Sequence, residues 1–223
     1  MILQGVISTS LLASLTLASP ILNVRNNDAT AIIQAVAPKS VSCDNVTTFA
    51  DECATASHAA QYLPAAMQKY EIFTPGEIAA VLSLMAYETG DFRYDRNHFP
   101  APGRPGQGTR NLQFPKYNLL YALDNPELKD KALEIVGGDV SVDGNDLPDD
   151  KKAAILDLVL PDDYSWGSAA WYYRKYCNQL TRDELAKGTI RGYTLYMEEC
   201  IGTTFDEGRL AYWQRAKAAF NLS

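Results

Sequence analysis

The sequence predicts an all-α fold, with β structure a minimal share. Two observations carry this. From Cys43 to the C-terminus the apolar residues recur at helical spacing almost without a break, and helix-start signatures punctuate that pattern. Thr74-Pro75-Gly76-Glu77 and Thr181-Arg182-Asp183-Glu184 both read as capping boxes, a hydroxyl followed three residues on by glutamate.

Taken in order, residues 1–19 read as a secretory signal peptide. Ile2 to Ala18 is apolar and lacks charge, small residues end it near Ser19-Pro20, and Asn26-Asn27-Asp28 follows where a membrane anchor would carry a basic flank. Residues 20–42 read as a propeptide or an extended N-terminal arm, and 43–223 as one folded domain. Helices are expected over 48–60, 63–70 and from Thr74 to the stop at Gly90. The segment from Asp91 to Gln113 reads as a loop with a short hairpin at Asp91 to Asn97. Further helices are expected over 116–123, 126–136, 148–160, 165–178, 190–200 and 206–220. The acidic turn with Asp139, Asp143 and Asp146 does not fit a calcium-loop spacing.

Composition narrows the function classes. The net charge is −7, so the chain has no basic footprint for nucleic acid and little attraction to an anionic membrane. No later segment is apolar enough to span a bilayer. Four cysteines suit an exported chain, and local pairing, Cys43 with Cys53 and Cys177 with Cys200, closes modest loops. With no CxxC and only two histidines, His58 and His98, no metal and no cofactor is expected. Asn45 and Asn221 head glycosylation sequons.

Glu88 is the candidate catalytic acid. It falls in the last turn of a helix that is apolar on nearly every face, where burial and the negative end of the helix dipole both disfavour its charge. A carboxyl kept protonated is what a general acid needs. Asp91 and Asp95 are candidate partners. Inversion places two carboxyls roughly 6.5–9.5 Å apart and retention about 5–5.5 Å, while a substrate acetamide can replace the second acid. The sequence leaves these three routes open, with Asp91 preferred for its place beside the Gly90 turn.

The run Glu88-Thr89-Gly90-Asp91-Phe92, then Asn97-His98-Phe99-Pro100, then Pro105 to Gln113 resembles secreted fungal lysozyme-like proteins. So do Tyr164 to Trp171, Cys200-Ile201-Gly202-Thr203-Thr204 and Ala211 to Ala216. The resemblance implies that 43–223 is a lysozyme-like catalytic domain with a substrate cleft. It implies a secreted, monomeric glycoside hydrolase acting as a muramidase on peptidoglycan, with Glu88 as proton donor and Gln113 lining the cleft. Thr109, Arg110, Asn111, Asp95 and Tyr173 join it as candidate substrate contacts. A chitinase or chitosanase on the same fold is one alternative. A non-catalytic secreted glycan-binding or interaction protein is the other.

Overall fold

The computed structural model describes residues 26–223, so the signal-peptide reading of residues 1–19 lies outside the described residues. The fold is all-α. The helices are α1 (Asn26–Val36), α2 (Ala56–Lys69), α3 (Pro75–Glu88), α4 (Pro115–Asp124), α5 (Pro126–Val136) and α6 (Asp149–Val159). They continue with α7 (Asp162–Ser165), α8 (Ser168–Tyr176), α9 (Gln179–Ala186), α10 (Ile190–Leu195) and α11 (Glu207–Ala219). A π-helical turn, Tyr196–Ile201, extends α10.

The central helix is α3. Thr74 caps it by accepting from the Glu77 amide, and its hydroxyl donates to the Glu77 carboxylate at 2.6 Å. Every residue from Ala79 to Ala86 is buried, as expected of a helix apolar all round. It packs against α1, α8, α9 and α11. Gly76 permits the approach of α9, since a Cβ there would stand 2.0 Å from the Leu185 carbonyl oxygen.

Helices α3 and α11 run side by side. Glu88 and Tyr87 meet Arg209 and Gly208 at one end of the pair, while Ile78 and Leu82 face the same cavity as Phe220 at the other. The two helices are therefore antiparallel. Trp213 of α11 is fully buried and stacks on Tyr193 with ring centroids 4.6 Å apart.

Several sequence expectations are corrected. From Asn26 onward, the segment expected to be an arm or propeptide belongs to the folded unit. Ala29, Ile33 and Val36 are buried and α1 packs on α2 and α11. Ala29, Ile33 and Val36 recur at helical spacing and form its buried face, while the polar residues before and after them gave the segment its polar look. The helices expected over 48–60 and 63–70 are replaced by a short 3-10 turn, Ala50–Glu52, and one helix, α2, that runs through Pro64. Burial of Leu63, Ala66 and Met67 on either side of the proline outweighs the lost backbone bond. The second capping box is displaced, because Asn178 caps α9 and leaves the Thr181 hydroxyl buried without a partner. The hairpin at Asp91 to Asn97 does not form. Among the described residues, strand pairing is limited to isolated bridges of Gly108 with Arg96 and Gln113.

Cys43 is bonded to Cys53 and Cys177 to Cys200. Asn45 and Asn221 are both exposed.

Candidate functional site

Two arrangements stand out, one at each end of the α3–α11 pair. At the first, Glu88 ends α3 with its side chain 25% exposed, and its Oε1 accepts from Arg209 Nη2 at 2.9 Å. Arg209 is held in place by Asp206, which caps α11, and lies 4.5 Å from the Tyr87 ring centroid. Burial raises the Glu88 pKa, and the attraction and hydrogen bond from Arg209 only partly offset it. The same ion pair raises the Arg209 pKa against its own burial. The two shifts agree on an attractive pair, both members of which lose much of their hydration.

Asp91 is not a free partner for Glu88. It is 2% exposed, and both oxygens are spent: one accepts from the Lys39 amide at 2.8 Å, the other from the Tyr212 hydroxyl. These bonds hold an unusual turn in which Gly90, Asp91 and Phe92 all have φ between 60° and 65°. Asp91 and Phe92 carry side chains in a left-handed conformation that costs free energy. The two bonds to Asp91 and burial of Phe92 against Trp166 offset that cost.

The loop residues converge on one another. Asn111 accepts from the Thr109 hydroxyl at 2.8 Å and from Ser168 at 2.8 Å, and donates to Gln113 at 3.3 Å. Gln113 donates to Asn118 at 2.8 Å. Arg110 is 6% exposed, gives Nη1 to the carbonyls of Glu52, Phe92 and Tyr94, and lies 4.8 Å from the Trp166 ring centroid. Asp95 sits 3.6 Å from Arg110, and burial pushes its carboxyl up to about 6. Tyr173 is a core residue whose hydroxyl donates to Glu77, at the start of α3 and far along the helix from Glu88. The structure thus joins Thr109, Asn111 and Gln113 in one network and Asp95 with Arg110 in another. Glu88 is joined to Arg209, a residue that sequence reasoning did not single out. The two are 121 positions apart, and no motif announced the pairing.

At the opposite end of α3 lies an apolar cavity of about 280 Å³ between α1, α2, α3 and the end of α11. Ile33, Leu63, Met67, Ile78, Leu82 and Phe220 line it, and Phe73, which is 62% exposed, lies on its wall at the surface. None of the residues lining it carries a formal charge. Among the described residues no helix is long and apolar enough to cross a membrane, and no group of three or more His, Cys, Asp or Glu side chains gathers as a metal site would.

No family model matches the chain, and no solved structure matches it. Over 166 residues, 74% of the chain, it is 46% identical to a protein of Fusarium oxysporum (strain Fo5176) described as a bifunctional dioxygenase (DOX)-epoxy alcohol synthase (EAS). Those residues span 12% of that protein's length. This relation overturns the lysozyme-like resemblance. With it go the glycoside hydrolase, the muramidase activity and its chitinase and glycan-binding alternatives, and the peptidoglycan or chitin partner. The geometry gives a physical reason for the miss. The polar loop that suggested sugar recognition directs its donors and acceptors inward, so composition was mistaken for availability.

Proposed function

We propose that this chain is an exported helical module that binds an apolar, unsaturated chain, working beside oxygenase chemistry of the kind named for its Fusarium relative. The observation that carries it is the uncharged cavity framed by α1, α2 and α3. Its volume approaches the usual range for small-molecule pockets, about 300–1,000 Å³. A dioxygenase that leads to an epoxy alcohol starts from an alkene, and an apolar cavity suits such a chain. Each methylene moved from water into it gains about 0.8 kcal/mol. A segment of about ten methylenes gains roughly 8 kcal/mol, against several kcal/mol lost on association. Export is supported by the two disulfides and by the apolar N-terminal stretch.

Titration with an unsaturated long-chain fatty acid, followed by calorimetry, tests the reading. Phe73→Glu places at the rim, from an exposed position, a charge of the same sign as the fatty-acid carboxylate, and binding is expected to weaken by about ten-fold, which is roughly 1.4 kcal/mol, with the melting temperature unchanged. Gln68→Trp, at another exposed lining position, is expected to hinder entry. No heat of binding in the parent protein, or affinities indifferent to both changes, would sink the proposal.

A second reading is favoured by Glu88, whose raised pKa and partial exposure support a proton-transfer role at the far end of α3. The Glu88 titration, followed by carboxyl-carbon NMR, should lie above that of an ordinary glutamate. A midpoint at or below the ordinary value would remove this role.

A further inference from the structure

A second cavity, of about 180 Å³, opens on the other side of α2. Its chemistry is unlike the first. Tyr62, Tyr70, Tyr121 and Trp166 supply aromatic walls, and Asp162 and Asp163 supply carboxylates. We infer that this pocket binds a small organic cation through an ammonium group, the aromatic faces and the Asp163 carboxylate making the contacts while Asp162 adds its charge.

The walls are fixed before any ligand arrives. Asp162 is anchored at both oxygens, accepting from Trp166 Nε1 at 2.7 Å and facing His58 Nε2 at 2.8 Å. The Tyr121 hydroxyl donates to the Tyr164 carbonyl at 2.8 Å. Gly167 lets that ring approach closely, since a Cβ there would lie 2.9 Å from the Tyr121 hydroxyl. Asp163 is exposed and has no ion-pair partner among the described residues.

The lining carries two carboxylates, Asp162 and Asp163, against one cation, Lys69. The carboxylates of Asp162 and Asp163 both push the Tyr62 phenol upward, Asp162 most strongly. The protein's own cation there behaves as a ligand would. Lys69, part of the lining, sits 5.4 Å from the Tyr70 ring centroid while donating to Asn125 at 3.3 Å. An ammonium entering from solvent meets the same aromatic attraction together with the Asp163 carboxylate.

This site shares α2 and Ala65 with the apolar cavity but does not depend on it, because the rest of the two linings differs in residues and in chemistry. The test is calorimetric titration of the full chain with tetramethylammonium and with butylammonium chloride, against sodium chloride at equal ionic strength. Saturable binding of either ammonium is expected. It should weaken by about five-fold in Asp163→Asn and in Tyr62→Leu, the scale of one cation–π or exposed charge contact. Lys69→Ala, which removes the resident cation, should strengthen it. An absence of saturable binding, or binding unchanged in both Asp163→Asn and Tyr62→Leu with the fold intact, overturns the assignment. A Lys69→Ala variant that binds ammonium less tightly than the parent does so too.

Discussion

Replacing Arg209 by methionine is expected to destabilise the protein more at pH 8 than at pH 4. The guanidinium is the cation bonded to Glu88, and both side chains are largely buried, 12% and 25% exposed. Removing one member of a buried pair leaves the other charged without compensation, a loss of about 3–5 kcal/mol when the survivor stays ionised. Glu88 has an escape: its pKa is already raised by burial, and without Arg209 it rises further. The sign comes from linkage. A carboxyl whose folded pKa lies above its unfolded value contributes stability that is full at low pH and is lost as pH rises through the folded value. At pH 4 the lone Glu88 is protonated and the loss is small; at pH 8 it must either ionise in place or unfold. Urea denaturation at the two values measures the difference. The double variant Glu88→Gln with Arg209→Met should recover most of the pH 8 loss, since an uncharged pair carries no desolvated charge. A single-variant loss equal at both pH values would show that Glu88 and Arg209 are not coupled.

A second expected result concerns Asp95. Burial, first among its causes, pushes its carboxyl up to about 6 despite Arg110 nearby, with the Glu52 charge adding to the rise. The folded value thus lies above the ordinary 3.8, so stability should be greatest below about pH 4 as far as this group is concerned and should fall as pH rises to about 6. A shift of this size corresponds to about 3 kcal/mol at 1.36 kcal/mol per pKa unit. Access of water to the carboxyl reduces that to roughly 1–2 kcal/mol. Asp95→Asn should therefore stabilise the protein at pH 7.5, flatten its stability between pH 4 and 6.5, and leave the Cys43–Cys53 region folded. A variant whose stability keeps the parent's slope across that window would show that another group carries it.

The helices were legible where a local rule settled them. Thr74, Pro75 and Glu77 marked the start of α3 unaided, and its uniformly apolar run announced its burial. α1 was hidden because the burial of Ala29, Ile33 and Val36 takes its value from α2 and α11, which local pattern cannot show. Glu88 was visible as an unusual glutamate, but its partner came from the far end of the chain. The loop from Pro105 to Gln113 showed its polar groups without showing that Ser168, Asn118 and backbone carbonyls consume them. The cavity was invisible for the same reason: it is defined by four helices, none of which carries its shape alone.

The bond from the Lys39 amide to Asp91 reaches from the N-terminal region to the turn after α3. Arg215 of α11 likewise donates to the Val36 carbonyl at 2.9 Å. These ties bear on maturation. A protease that trimmed the chain beyond Asn26 would remove part of α1, a wall of the apolar cavity. One that cut beyond Lys39 would also release an amide that steadies Asp91, the residue three positions after Glu88. A cut upstream of α1 would thus leave the finished fold intact, while a longer one would remove contacts that the core and the turn after α3 rely on.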